Sequence, residues 1–181
     1  MNTAKRQFIY AIDQARVAGT LLAMFLTKSS FADNRSVSVC GYSLGTVVTF
    51  NCMKILKRLN DYQTPKAGQI INDIHFWAGA YVLDLNKTYE EVYEKSINLQ
   101  VCNGYVNNMY TDQDWAVKYG LAKFFKGQRG IGMYPIFEDI KDEDKDECKL
   151  AMNYDVSDSA PGHSYYGSNC LQFLYKIKNG Y

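Results

Sequence analysis

The residues of this chain best suited to chemistry form a Gly-x-Ser-x-Gly motif, Gly41-Tyr42-Ser43-Leu44-Gly45. A short apolar run that includes Val37 and Val39 precedes the motif, and a helical pattern follows it directly. This strand, turn and helix setting is the one that a nucleophile elbow requires. The pattern predicts a sharp turn that strains Ser43 and exposes its hydroxyl as a nucleophile, with a Cβ at either glycine expected to obstruct the turn.

A serine nucleophile needs a base that titrates near neutral pH and a carboxylate that fixes the tautomer of that base. The chain has two histidines. His75 falls inside a predicted buried strand, which favours a locally hydrogen-bonded core histidine, whereas His163 falls in a loop and is the candidate base. Asp114 directly precedes a predicted helix and is the preferred acid, and Asp112 is the alternative. The order serine, aspartate, histidine is that of the α/β hydrolases.

The elements that would position these side chains alternate along the sequence. Helices are predicted over residues 2–28, 44–60, 83–96, 115–125 and 164–178, and strands over 36–40, 70–79, 97–111 and 150–154. The first helix carries an apolar stripe that is expected to pack against a sheet. Alternation of this kind predicts a mainly parallel sheet covered on both faces. In such sheets the sites lie beyond the carboxyl ends of the strands, where Ser43, Asp114 (or Asp112) and His163 all fall.

Length and composition indicate one domain over residues 1–181. The chain is 47% hydrophobic, carries a net charge of +1 and has a pI of about 7.6. Nothing in that balance would attract nucleic acid. Glycines 127, 130 and 132 lack the spacing of a phosphate-binding loop, so no cofactor is expected. The dense charge run at about 138–149 is interpreted as a solvated insertion, with a docking surface as the alternative.

The five cysteines form no C-x-x-C pair and lie mostly within apolar runs. This pattern favours reduced, buried thiols over a disulfide framework or a metal site, and it indicates a reducing intracellular compartment. No apolar run reaches the ~18 residues of a membrane span, and no secretory leader is recognisable. The sequence alone therefore predicts no transmembrane segment.

Four segments together resemble a known family. They are residues 39–45 (VCGYSLG), 108–115 (NMYTDQDW), 153–157 (NYDVS) and 162–166 (GHSYY). These segments resemble the eukaryotic transmembrane and coiled-coil domain-containing hydrolases, a family long catalogued as a domain of unknown function. The resemblance implies Ser43 as nucleophile, Asp114 as acid and His163 as base. Tyr105, where the family pattern has arginine, and the charged insertion depart from it.

The resemblance also implies a partial α/β-hydrolase fold, with about four mainly parallel strands, helices on both faces and the upstream strands missing. The amide of Leu44 is the expected oxyanion donor, while the second donor, which an upstream loop supplies in α/β hydrolases, is not visible. The resemblance places every other strand on one side of the Ser43 strand. A partner polypeptide is therefore expected to cover its open edge, from Ser36 to Cys40, or the adjacent face of the first helix.

Two functions of different classes follow. In the first, the chain is a serine hydrolase of the ester or lipid type, whose turnover alone is limited by the incomplete oxyanion hole. In the second, it is a non-catalytic structural subunit of a larger assembly that retains a hydrolase architecture. The complete set of serine, aspartate and histidine favours the first, and the open sheet edge favours the second.

Overall fold

The structure is a computed structural model that describes residues 3–28, 35–62, 70–82, 101–124, 130–136 and 151–179. Its helices are α1 (Thr3–Lys28), α2 (Gly45–Tyr62), α3 (Trp115–Phe124), α4 (Tyr165–Ser168) and α5 (Cys170–Asn179). Its strands are β1 (Val37–Tyr42), β2 (Ile71–Trp77), β3 (Val106–Tyr110) and β4 (Ala151–Asp155), and a 3₁₀ helix covers Ile131–Met133. The helix predicted over 83–96 and the charged insertion at 138–149 lie outside the described residues.

The strands form one parallel sheet in the order β1-β2-β3-β4. Spatial order follows chain order, so each strand pairs with the next one along the sequence. The carboxyl ends of all four strands lie at the same end of the sheet, which brings the segments after β1, β3 and β4 together. The predicted four-stranded α/β fold is confirmed.

Side chains alternate between the two faces of the sheet, and helices cover both. On one face, Ile74 and Phe76 of β2 pack with Phe50 of α2, whose ring stacks on that of Phe76 at 4.6 Å between centroids. On the other face, Trp77 packs edge-on against Phe173 of α5 at 5.7 Å. Burial on both faces stabilises the central strands, because apolar side chains leave water on each side.

The third strand is shorter than the sequence suggested. A strand over 97–111 was expected; residues 97–100 lie outside the described residues, and of the rest β3 covers only Val106–Tyr110. Cys102 makes a single bridge to Ile71, and the amides of Asn103 and Gly104 bond to the carbonyls of Ile71 and Asn72. The apolar segment before β3 therefore forms a turn that leads into the strand, and not a continuation of the strand.

β1 lies at the edge of the sheet, as predicted, but it is not buried on both faces. Val37 and Val39 are half-buried, Ser38 and Cys40 are exposed, and within the strand only Gly41 is buried. β2 is its one strand neighbour among the described residues. The β-branched residues that suggested a central strand therefore belong here to a strand whose outer backbone groups meet no described strand.

α1 packs chiefly against α2, not against the sheet as expected. Gly19 lies so close to α2 that a Cβ there would clash with the carbonyl oxygen of Val48 and lie 2.8 Å from the Cβ of Asn51. Asn51 also donates from Nδ2 to the carbonyl of Arg16 at 2.6 Å. Small residues on one stripe of α1, Ala15, Gly19 and Ala23, make this close approach possible.

The expectation of no membrane-spanning segment requires correction for α1. This helix is long and apolar enough to cross a membrane by length and composition. A core helix of a soluble protein can have the same length and composition, and one stripe of α1 packs against α2. The opposite stripe exposes Tyr10, Val17, Leu21 and Met24.

Candidate active site

Ser43 occupies a strained turn between β1 and α2. Its φ is 53°, a left-handed conformation that a residue with a side chain seldom adopts. Its N–H donates to the carbonyl of Trp77 at 3.0 Å, and its own carbonyl accepts from Ala80 N–H at 3.1 Å and from Thr46 N–H and Oγ1 at 3.1 and 2.6 Å. The loop after β2 therefore fixes the backbone of the elbow.

The two glycines of the motif differ in whether the surrounding atoms leave room for a Cβ. A Cβ at Gly41 would lie 2.7 Å from Thr49 Oγ1 and 2.8 Å from the carbonyl oxygen of Gly45. A Cβ at Gly45 would meet nothing within 4 Å. The expectation that both glycines are required sterically is wrong for Gly45, because a Cβ at that position would point into open space.

This difference gives a matched pair of variants. Gly41→Ala should destabilise the fold by about 1–3 kcal/mol, because either Thr49 or the first turn of α2 has to shift. Gly45→Ala should be neutral or stabilising by up to about 1 kcal/mol, since alanine favours the helix. Urea unfolding followed by circular dichroism measures both. Equal midpoints for the two variants would contradict the elbow geometry described here.

The structure brings Ser43, His163 and Asp114 together at the carboxyl end of the sheet. His163 Nε2 lies 2.9 Å from Ser43 Oγ, and its Nδ1 lies 2.7 Å from Asp114 Oδ2. An ionised carboxylate only accepts hydrogen bonds, so Nδ1 carries the proton and Nε2 is left to accept from the serine hydroxyl. The side chain of Asp114 is fully buried and that of His163 is 21% exposed.

Asp114 has a second task at the start of α3. Its Oδ1 accepts hydrogen bonds from the amides of Ala116 at 3.0 Å and Val117 at 3.1 Å, which makes it the N-cap of that helix. The two carboxylate oxygens are thus divided between the helix and the imidazole. Asp112 is exposed, and its carbonyl lies 3.4 Å from Lys118 Nζ. Of the two candidate acids, the structure places Asp114 against His163.

The turn that carries Asp114 is held by the segment after β4. Thr111 Oγ1 lies 3.0 Å from Ser157 Oγ and accepts a hydrogen bond from the N–H of Gln113 at 3.2 Å. Asp155 Oδ1 in turn accepts hydrogen bonds from Ser157 Oγ at 2.5 Å and from Ser157 N–H at 2.9 Å. Polar residues of the segments 108–115 and 153–157 are thus hydrogen-bonded to each other. These bonds connect the turn that carries Asp114 to the segment that leads to His163.

Tyr42 contacts His163 directly, and sequence reasoning gave it no role. Its hydroxyl donates to the carbonyl of His163 at 2.7 Å, and its ring lies 5.0 Å from the imidazole between centroids. Burial and the nearby Asp114 charge raise the pKa of Tyr42, so its hydroxyl stays a donor at neutral pH. The available signal was an aromatic residue immediately before the nucleophile, at the exposed end of an edge strand.

Leu44 lies where the oxyanion donor was predicted, immediately before α2. Its amide belongs to no turn of the helix, and no backbone acceptor for it is found within the described ranges. A helix N-terminus carries a partial positive charge that favours an anion. This arrangement supplies one donor beside Ser43.

His75 is a core histidine, as predicted. It is 9% exposed on β2, and its Nδ1 lies 3.2 Å from Asn107 Nδ2 on the neighbouring strand. Burial lowers its pKa, which keeps the ring neutral. In the part of the chain that the structure describes, no group of three His, Cys, Asp or Glu side chains could hold a metal ion.

Comparison with known proteins identifies a family model and a relative that match this chain. The family model described as "Protein of unknown function (DUF726)" matches residues 3–179. A relative, the "Uncharacterized membrane protein F35D11.3" of Caenorhabditis elegans, is 26% identical over 163 residues, which cover 90% of this chain and 23% of that protein. The chain thus spans less than a quarter of the length of this curated relative. No solved structure gives a significant match. The match over nearly its whole length shows that the chain belongs to the DUF726 family.

Proposed function

We propose that this domain is a serine hydrolase of the ester or lipid type, related to the transmembrane and coiled-coil domain-containing hydrolases. The observation that carries the proposal is His163, whose two ring nitrogens reach Ser43 Oγ at 2.9 Å and Asp114 Oδ2 at 2.7 Å. The positive φ of Ser43 at the end of a parallel strand supports the same interpretation.

In the proposed reaction, Ser43 Oγ attacks the ester carbonyl while His163 Nε2 takes the hydroxyl proton. The Asp114 carboxylate stabilises the imidazolium that forms, and Leu44 N–H donates to the carbonyl oxygen as it becomes negative. His163 then returns the proton to the leaving alcohol. Water, activated by the same imidazole, releases the acid from Ser43.

Covalent labelling tests this proposal. A fluorophosphonate phosphonylates a serine only where a base has activated its hydroxyl, so the folded protein should gain one adduct, located by peptide mass spectrometry on Ser43. The chain contains many other serines, which serve as internal controls. A cooperatively melting protein that gains no adduct on Ser43 would refute the proposal.

Tyr42→Phe tests the contact that holds the His163 loop. The variant keeps the ring and loses the 2.7 Å hydrogen bond to the His163 carbonyl, so hydrolysis of an activated ester should slow by about five- to tenfold. The same change in a His163→Ala background should leave the residual rate unchanged, because no imidazole remains to be positioned. An equal loss in both backgrounds would mean that Tyr42 acts on the fold in general.

The cysteines support the proposal of a reducing compartment. Cys52 and Cys102 are buried and free, and burial raises the pKa of their thiols to about 12 and about 11. Thiols that stay protonated in an apolar core react slowly with oxidants. The expectation of buried thiols is wrong for Cys40, which is exposed, and for Cys170, which is half-buried; both are free, and Cys148 lies outside the described residues.

A second candidate function, a structural subunit of a larger assembly, is favoured by the surface next to β1. The strand presents its outer backbone groups beside Val37 and Val39. The outer stripe of α1, defined by Tyr10, Val17, Leu21 and Met24, exposes these side chains to between 41 and 66%. A cluster of exposed apolar side chains on one face of a helix marks an interaction surface, and we propose that a partner polypeptide covers both surfaces.

The mass of the isolated chain in solution tests this second proposal. Light scattering should give a mass above the 20.7 kDa of one chain, because exposed strand edges and apolar stripes associate. Val17→Glu with Leu21→Lys, which places two charges on the outer stripe, should lower the measured mass. Ala18→Glu on the same helix, outside the stripe, is the control. A soluble, cooperatively melting monomer would contradict the proposal.

A further inference from the structure

Two free cysteines lie on the elements that lead to and from the triad. Cys40 belongs to β1, three residues before Ser43, and Cys170 begins α5, seven residues after His163. Cys40 is exposed, Cys170 is half-buried, and neither takes part in a disulfide. Both thiols are therefore open to reagents from solvent, and the proposed hydrolysis uses neither of them.

Cys40 lies on the face of the sheet that α4 and α5 cover. Side chains of a strand alternate between faces, so Cys40 and Tyr42 share one. The ring of Tyr42 lies 6.1 Å from that of Tyr166 in α4 between centroids. The neighbour of Tyr42 in the sheet, Trp77, packs on Phe173 of α5. The Cys40 side chain thus points to the same side as these helices.

Cys170 lies on the stripe of these helices that contacts the sheet. The two helices continue each other, because Asn169 N–H donates to the carbonyl of Tyr165 and Phe173 N–H donates to the carbonyl of Asn169. Cys170 follows Tyr166 by four residues and precedes Phe173 by three, and such spacings fall on one side of a helix. Tyr166 and Phe173 are both fully buried, which identifies this side as the inner one.

The contact between Tyr42 and Tyr166 sets the two cysteines at a similar height. Cys40 is two residues back along the strand, or about 7 Å, and Cys170 is about one turn further along the helix, or about 6 Å. Both steps lead away from the triad end of the sheet. The strand and the helix therefore bring the two thiols toward each other across the layer between them.

The pKa of Cys40 shows that the two thiols interact. Partial burial and the negative charge that Cys170 carries as a thiolate raise the pKa of Cys40 to about 11. The repulsion between two thiolates falls with distance, so a neighbour that affects the pKa is a close one. Cys40 keeps its proton at neutral pH, which leaves Cys170 as the thiol that reacts first.

We propose that Cys40 and Cys170 form a reversible disulfide when the domain meets a peroxide. The bond joins the strand that leads to Ser43 with the helix that follows His163. In a reducing compartment such bonds are transient and report oxidation. The inference goes beyond the hydrolase proposal and does not depend on it, because it rests on the placement of the two thiols alone.

The oxidation balances with one molecule of hydrogen peroxide. The Cys170 thiolate attacks a peroxide oxygen, so that an S–O bond forms, the O–O bond breaks, and the released hydroxide takes a proton to become water. The Cys40 sulfur then attacks the sulfenic sulfur of Cys170. The S–S bond forms, the S–O bond breaks, and the departing hydroxide leaves as water with the Cys40 proton. Two thiols are oxidised, and the peroxide is reduced to two molecules of water.

Peptide mapping tests the assignment. The folded protein is treated with a slight excess of hydrogen peroxide, the remaining thiols are alkylated with iodoacetamide, and the chain is digested without reduction. We expect one cross-linked pair of peptides that contains Cys40 and Cys170 and that reduced glutathione separates. On a denaturing gel without reductant, the oxidised protein should run as a single chain, because the bond lies within one molecule.

Cys40→Ser and Cys170→Ser should each abolish the cross-link, whereas Cys148→Ser, which removes a different thiol, should leave it in place. Alkylation of both Cys40 and Cys170 after oxidation overturns the proposal. A covalent dimer, a cross-link to another cysteine, or sulfinic acid on Cys170 without a cross-link overturns it as well.

Thermal melting of the unmutated protein supplies a second measurement, which needs no variant to fold. The bond closes a loop of about 130 residues, so the oxidised protein should melt about 10 °C above the reduced protein. Reduced glutathione should reverse the shift, and peroxide should not produce it in Cys170→Ser. Equal melting temperatures for the oxidised and reduced protein overturn the proposal, whether or not the domain hydrolyses esters.

Discussion

Ser43→Ala should lower the rate of ester hydrolysis by roughly 10⁶-fold, to the level that binding and the remaining donors provide. The hydroxyl is the group that forms the covalent bond, and His163 Nε2 at 2.9 Å has no other described partner for its lone pair. The fold should be unaffected, because the backbone contacts of the turn to Trp77 and Ala80 do not involve Oγ. Steady-state rates with p-nitrophenyl esters measure the loss.

Ser38→Ala provides the matched control. Ser38 lies on the same strand, is exposed, and contacts Asp73 at 3.4 Å through its hydroxyl. Its removal should leave the rate within about twofold of the original, as expected for a surface substitution. If Ser43→Ala and Ser38→Ala are equally active, hydrolysis comes from another site and the assignment of the nucleophile is wrong.

Asp114→Asn should lower the hydrolysis rate by about 10⁴-fold while the fold is retained. Asparagine caps a helix as well as aspartate does, so Ala116 and Val117 keep an oxygen acceptor. The amide that replaces Oδ2 cannot stabilise an imidazolium, and it favours the wrong tautomer of His163. Thermal melting separates the two roles, because the melting temperature should change little.

Asp112→Asn is the control that distinguishes the two candidate acids. Asp112 is exposed, and Lys118 Nζ donates to its backbone carbonyl rather than to its carboxylate. The variant should hydrolyse esters at nearly the original rate. A large loss for Asp112→Asn with little loss for Asp114→Asn would reverse the assignment of the acid.

The sequence allowed the main elements and the meeting of three side chains to be predicted. A β-branched run, a glycine-flanked serine and a helical pattern together specify a local turn. Parallel strands then place their carboxyl ends at the same end of the sheet. With His75 in a strand, His163 was the remaining imidazole. The choice of Asp114 over Asp112 followed from its position before α3, where it caps the helix.

Other features depended on distances that sequence patterns do not encode. An apolar stripe on α1 predicts burial but does not identify what covers it, and the helix packs on α2 through Gly19 instead of on the sheet. The space beside Gly45 depends on where a Cβ at that position would point in the folded turn. Tyr42 and His163 are 121 residues apart, so their hydrogen bond cannot be predicted until the end of β1 and the loop after β4 are placed.

The order of the strands has a consequence for synthesis on the ribosome. Because the sheet grows from β1 to β4 in chain order, each strand that leaves the exit tunnel meets a neighbour that has already emerged. Ser43, the proposed nucleophile, is made 120 residues before His163, the proposed base, which is roughly 6–24 s at ordinary elongation rates. A nascent or prematurely terminated chain that stops before residue 163 therefore carries Ser43 without the imidazole that would activate it.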